Sequence, residues 1–149
     1  MRTELPRGAP RVSPTLVWGL GAGLTIVAVD TLTMVVSGAA ASIAETVQLV
    51  DLLVNIAILS FVGLRVGRAT GMVRSAAEAG VIAGLLGGLA GIALLFYTRS
   101  TATPAIVPPT QELVQLLALN VAMGGVIAWV NGFLGVRSRD SGSGAMRRR

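Results

Sequence analysis

The chain has 149 residues, of which 53% are hydrophobic and 13% are charged, and its formal net charge is +5. Soluble domains usually carry about 25% charged residues, so this composition excludes an ordinary soluble domain and indicates a membrane protein. The chain has no cysteine or histidine, and all twelve basic residues are arginine. Disulfides, Cys/His zinc sites and imidazole catalysis are therefore excluded, and we expect neither enzymatic activity nor a cofactor.

Four apolar runs follow one another along the chain and predict four transmembrane helices. Each run has about 20 residues or more, which at 1.5 Å per residue crosses a hydrocarbon core of about 30 Å. The predicted spans are residues 14–37, 43–64, 76–98 and 110–134. Within a membrane domain of residues 14–135, they form an all-α four-helix bundle. A cytoplasmic tail of residues 1–13 precedes it, and a flexible basic tail of residues 136–149 follows it.

Local motifs predict where the helices begin and end. Ser13, which precedes a proline, is typical of an N-cap residue at the start of the first helix. The motifs "SIAE" (residues 42–45) and "SAAE" (residues 75–78) each fit a capping box at the start of the second and third helices. Gly38 and Gly135 occupy positions at which glycine commonly ends a helix.

The arginines predict the orientation in the membrane. Eleven of the twelve lie in the two tails and the second connection, and only Arg99 lies in another connection. The positive-inside rule therefore predicts a multi-pass protein of the bacterial inner membrane with both termini in the cytoplasm. Anionic lipids are the expected partners of the arginine-rich ends, and no nucleic acid is expected because no basic domain accompanies the charge. The alternative is a cleaved signal peptide ending near "SGAAAS" (residues 37–42), but the apolar run is too long, so we expect the first helix to be retained.

Glycines are concentrated in the third predicted helix, "EAGVIAGLLGGLAGIALL" (residues 78–95), although each costs about 1 kcal/mol relative to alanine. At 100° per residue they fall within one arc, opposite isoleucine and leucine. In lipid, such small faces permit close contact between helices. We assign helix packing to this face and to two similar repeats, through Gly19, Gly23, Gly63, Gly67, Gly80, Gly84, Gly87, Gly88 and Gly91. The alternative is that these faces mediate self-association or docking on a larger membrane complex.

The two halves of the chain resemble each other. A shift of 65 residues places Gly19-Leu20 on Gly84-Leu85 and Asn55 on Asn120. These matches predict an ancient duplication of a helical hairpin, and a unit of two helices keeps its orientation, so the repeats would be parallel. Shared composition alone is the alternative explanation.

Two acidic residues, Asp30 and Asp51, lie within the first and second predicted spans. A charged residue at the bilayer centre costs about 2.5–3.5 kcal/mol on insertion scales and indicates function by default. Both residues lie at similar depth, Asn55 is one turn from Asp51, and Asn120 is predicted at the depth of Asn55. Two carboxylates at one level can share a proton, so these four residues form a candidate ion or proton site. The alternative is a structural role, with the acids hydrated or paired with Arg99 or with Asn and Thr neighbours.

The segment "GLRVGRATG" (residues 63–71) leads into the glycine-rich third helix. With the helix count, it makes the chain resemble small glycine-rich four-helix bacterial membrane proteins of unknown function, and this resemblance implies no catalytic residues. The leading prediction is a structural, accessory or assembly role in the membrane. The alternatives are a small proton or cation channel or transporter that uses the intramembrane aspartates, and a holin-like pore former.

Overall fold

The computed structural model describes residues 12–39, 41–101 and 107–146. In this part of the chain the helices are α1 (Pro14–Ala39), α2 (Ala44–Thr70), α3 (Val73–Ser100) and α4 (Thr110–Met146), with a short 3₁₀ turn at Ala41–Ile43. All four are long and apolar enough to cross a membrane. The predicted all-α membrane fold with four helices is therefore confirmed. Predictions about residues 1–11 and 147–149 lie outside the described residues.

The four helices form a bundle with a rhombic cross-section. α3 packs along α1 and α4, and α2 packs along the same two helices. α2 and α3 also meet across the middle, whereas the backbones of α1 and α4 do not approach each other in the described residues. The side chains that are completely buried are those of Val66, Ala76, Ala79, Ala83 and Ala128. Such a core suits lipid, where large side chains face hydrocarbon without penalty and helices associate through close backbone contact.

The glycines of α3 contact two different helices. Those that face α4 with no room for a Cβ atom are Gly80, Gly84 and Gly88. A Cβ atom on Gly84 would lie 2.9 Å from the carbonyl carbon of Asn120, which is closer than van der Waals contact allows. Gly87 instead faces α1, where a Cβ would lie 3.0 Å from Cγ2 of Ile26. At Gly91 a Cβ would make only ordinary contact with α4, so packing does not require glycine there.

The glycine pairs of α1 and α2 also lie between helices. Gly19 and Gly23 face α3, where a Cβ on Gly19 would lie 2.9 Å from the carbonyl oxygen of Ala79. Gly63 and Gly67 face the backbone of α4 and leave no room for a Cβ. The structure thus places the predicted packing glycines at contacts within a single chain.

The capping boxes predicted at the starts of α2 and α3 are not formed. α2 begins at Ala44 and α3 at Val73, and neither has a side-chain cap hydrogen bond. Because α3 begins before the "SAAE" motif, Ser75 is a buried residue inside the helix rather than its cap. The predicted start of α1 is confirmed, since the backbone N–H of Leu16 donates to Oγ of Ser13 at 3.2 Å.

The α2–α3 connection is tighter than predicted. α2 continues beyond residue 64 to Thr70, and Gly71 ends it with a left-handed φ of 69°. The N–H of Gly71 donates to the carbonyl oxygen of Gly67 at 2.9 Å. Glycine adopts this conformation without the steric cost that other residues meet, so the glycine acts as a C-cap.

Gly38 and Gly135 do not end their helices as predicted. α1 continues through Gly38 to Ala39, and α4 continues through Gly135 to Met146. Gly135 packs against the end of α2, where a Cβ would lie 2.5 Å from the carbonyl oxygen of Leu64. The predicted end of the fourth span at residue 134 is therefore wrong, since α4 continues to Met146, and the flexibility of the tail stays a prediction.

The proposed internal repeat is only partly reflected in the packing. Where α2 packs on α4, Gly63 faces Ala128, which is its equivalent after the shift of 65 residues. The two hairpins differ in register, however. Asn55 donates to Asp30 of α1, whereas its equivalent, Asn120, contacts the glycine face of α3. The duplication therefore stays a prediction.

Candidate functional site

A cavity of about 290 Å³ lies between the helices, in the half of the bundle that holds the first and third connections. This is the outer half in the predicted topology. All four helices line the cavity, and its polar lining residues are Asp30, Asp51, Asn55 and Asn120. The structure therefore brings the four predicted site residues to one cavity, called the polar cavity below. From the rise of a helix, Asp30 lies about 13 Å from the end of α1.

A single amide group links the two carboxylates. Nδ2 of Asn55 donates to Oδ1 of Asp30 at 2.9 Å and to Oδ2 of Asp51 at 3.4 Å. The hydroxyl of Thr33 donates to the other oxygen of Asp51 at 2.9 Å. Because an ionised carboxylate only accepts hydrogen bonds, the NH₂ group of Asn55 must face the two acids.

This orientation of Asn55 leaves its own acceptor without a partner. Among the described residues, no group donates to the buried Oδ1 of Asn55. A buried acceptor without a hydrogen bond costs about 1–3 kcal/mol. A donor or a cation that reached this oxygen would remove that penalty.

Within the described part of the chain, no arginine forms an ion pair with either acid of the polar cavity. Arg99 instead pairs with Glu112 at 2.7 Å and joins the end of α3 to the start of α4. The predicted pairing of Asp30 or Asp51 with Arg99 is therefore wrong, whereas the other form of that alternative, pairing with Asn and Thr neighbours, is observed at Asn55 and Thr33. Two neighbouring carboxylates without a positive partner are costly in apolar surroundings, and a bound cation or a shared proton relieves that cost.

Asn120 lies on the same cavity but outside this hydrogen-bond network. Its Nδ2 donates to the carbonyl oxygen of Leu116 in the preceding turn of α4 at 3.0 Å. The wall opposite is formed by Gly84, Gly87 and Gly91 of α3. Because these residues have no side chains, the glycine face leaves space for the polar cavity beside its contact with α4.

The exposed residues of the polar cavity's lining belong to α2 and α4. Among the lining residues only Leu52 of α2 and Leu119 of α4 are exposed, at 44% and 59%. In the other half of the bundle, Gly63 packs directly on the backbone of α4 at Ala128 and closes the same interface. The exposed part of the lining is therefore apolar.

Two polar contacts involve residues that were not named in the sequence analysis. Thr33 bonds to Asp51, and the only available signal was its position one turn after Asp30 on the same helix. Asn131 of α4 donates to Oγ of Ser60 of α2 at 3.1 Å. This second contact lies away from the polar cavity and holds the closed half of the α2–α4 interface.

The donor set of the polar cavity consists of two carboxylates and two amides in a mostly apolar pocket. Within the residues that the structure describes, no three Asp, Glu, Cys or His side chains come together in a way that would hold a metal ion.

These features define the class of the molecule: it is a multi-pass membrane protein with four helices of membrane-spanning length and a polar cavity inside the bundle. The chain matches no protein-family model, no curated protein and no solved structure. Its function therefore has to be argued from the site itself.

Proposed function

We propose that this protein is a non-enzymatic protein of the bacterial cytoplasmic membrane that binds a proton or a monovalent cation between Asp30 and Asp51. The observation that carries the proposal is that these two carboxylates, from neighbouring helices, share the amide donor of Asn55 inside the polar cavity. A monovalent cation or a proton shared between the two carboxylates would offset one of their two negative charges.

The apolar lining of the polar cavity indicates which cation the site favours. Because Leu52 and Leu119, the exposed residues of the lining, are both apolar, we expect a ligand to enter between them from the hydrocarbon layer. Most of its lining is apolar, and one carboxylate attracts a charge at 4 Å with about 4 kcal/mol at an effective dielectric constant of 20. This combination suits an organic cation that carries apolar groups, such as a quaternary ammonium ion.

Equilibrium binding to the purified protein in detergent tests the proposal, with radiolabelled benzyltrimethylammonium as the probe. We expect Asp30→Asn and Asp51→Asn each to weaken binding by at least about tenfold, because each removes one charge that faces the ligand. Glu112→Gln is the matched control, since this acid is paired with Arg99 outside the polar cavity. If both aspartate variants bind as tightly as the unaltered protein, the proposal is wrong.

A structural, accessory or assembly role is the second candidate. It is favoured by the closed half of the bundle, where Gly63 and Gly80 pack on the backbone of α4. This packing suits a protein that binds a ligand without conducting it, and it gives no support to a holin-like pore. An oligomer or a larger complex would have to use surfaces other than the glycine faces, because those are occupied within the chain.

Proteoliposomes that contain a trapped pH-sensitive dye separate the two candidates. Proton flux that depends on Asp51 and responds to a benzyltrimethylammonium gradient favours a transporter. Binding without any flux favours the accessory role, and the partners recovered by mild detergent extraction and mass spectrometry then become the next measurement.

A further inference from the structure

A second groove lies on the outer surface of the bundle, where α1 packs on α2, and it encloses about 500 Å³. Its floor is formed by the buried residues Ala22 and Val62. The exposed residues along its rim are Gly21, Thr25, Ala57 and Phe61. The groove shares no lining residue with the polar cavity.

The groove is smooth and apolar along its length. A Cβ atom on Gly21 would meet no atom within 4 Å, so this residue leaves the groove open. The hydroxyl of Thr25 donates to the carbonyl oxygen of Gly21 at 2.9 Å, and its hydrogen-bonding capacity is thereby used within the helix. From Trp18 to Thr25 the groove extends for about 10 Å along α1, which is long enough to hold part of an extended alkyl chain.

One end of the groove is aromatic, and two arginines follow it on α2 outside the groove lining. The rings of Trp18 and Phe61 meet edge to face with their centroids 5.9 Å apart. The guanidinium of Arg65 lies 5.3 Å from the centroid of Phe61. One turn further along α2, Nε of Arg68 donates to Oγ of Ser138 of α4 at 2.8 Å. Among the described residues, neither of these two arginines forms an ion pair with a carboxylate.

We propose that this groove binds one anionic phospholipid, with an acyl chain along α1 and α2 and the phosphate at Arg65 and Arg68. Guanidinium groups bind phosphate through paired, charge-assisted hydrogen bonds, and an aromatic pair below them is typical of the membrane interface. Two arginines without carboxylate partners favour an anionic headgroup over a zwitterionic one. The apolar groove receives the chain of the same molecule.

Quenching of Trp18 fluorescence by brominated lipids tests the proposal. The chain has two tryptophans, so Trp129→Phe leaves Trp18 as the single probe. The full-length protein is reconstituted in phosphatidylcholine vesicles that contain increasing fractions of brominated phosphatidylglycerol or brominated phosphatidylcholine. We expect phosphatidylglycerol to quench at lower mole fraction, with a preference of about fivefold for each arginine that contacts the phosphate.

Three variants test which residues cause the preference for phosphatidylglycerol. Arg65→Gln combined with Arg68→Gln is expected to abolish it, whereas Arg74→Gln is expected to keep it, because Arg74 pairs with Glu78 at 2.9 Å. Gly21→Leu has room to fold and fills the groove, so it is expected to reduce quenching by both lipids. Equal quenching by the two lipids in the unaltered groove overturns the proposal. A preference that survives the double variant, or that falls equally in Arg74→Gln, also overturns it.

Discussion

Alanine substitutions at Gly84 and, separately, at Gly21 test whether direct backbone contact holds the bundle together. Both changes improve helix propensity by about 1 kcal/mol. At Gly21 the new Cβ meets no atom within 4 Å. At Gly84 it lies 2.9 Å from the carbonyl carbon of Asn120 and 3.0 Å from Cα of Val121. These are backbone atoms, which yield only if α3 and α4 move apart, and overpacking of this kind costs about 1–3 kcal/mol.

The expected result is a difference of about 1–3 kcal/mol in the free energy of unfolding between the two variants, with Gly84→Ala the less stable. Gly21→Ala is expected to be more stable than the unaltered protein by up to about 1 kcal/mol. Unfolding by sodium dodecyl sulfate in mixed micelles, followed by circular dichroism, measures both values. Because the two variants share the propensity gain, the difference reports the helix contact alone. Equal stabilities would refute the close approach of α3 and α4.

The remaining predictions concern two hydrogen bonds and use the same unfolding assay. A double-mutant cycle of Ser60→Ala and Asn131→Ala is expected to give a coupling free energy of about 0.6 kcal/mol, which is the average for such hydrogen bonds in membrane bundles. The reason is that these two residues share a hydrogen bond of 3.1 Å. Strictly additive effects of the two substitutions would contradict the contact. Ser13→Ala is expected to lower the free energy of unfolding by about 1 kcal/mol, because the N–H of Leu16 loses its cap, and an unchanged stability would contradict that role.

Much of the candidate site follows from helix periodicity and depth alone. Asp30 and Asp51 lie at similar distances from the same connection, and Asn55 is one turn from Asp51, so their proximity was predictable. The hydrogen-bond and ion-pair partners of these groups were harder to predict from the sequence. Thr33 bonds to Asp51, and Arg99 pairs with Glu112 instead of an aspartate, because each choice depends on how neighbouring helices are rotated and shifted.

The helix ends were the least predictable feature. The motif at residues 75–78 has the residue types of a capping box, yet Ser75 is buried inside α3. From the sequence, Gly71 and Gly135 are equally plausible helix ends. In the structure, Gly71 adopts a left-handed conformation and caps α2, whereas Gly135 lies within α4 and packs against Leu64. A local pattern cannot separate these roles, because the deciding contact comes from another helix.

The sequence by itself determined that the helices of this protein lie in lipid. It also determined the number of membrane helices and the glycine faces through which they pack. Length, hydropathy and the cost of unpaired backbone groups in lipid leave no other arrangement for such a chain. Only the tertiary structure decided which helix each glycine face contacts, and where the bundle leaves a cavity. Those outcomes depend on the relative register of α2, α3 and α4, which is set by contacts between backbones that no single helix encodes.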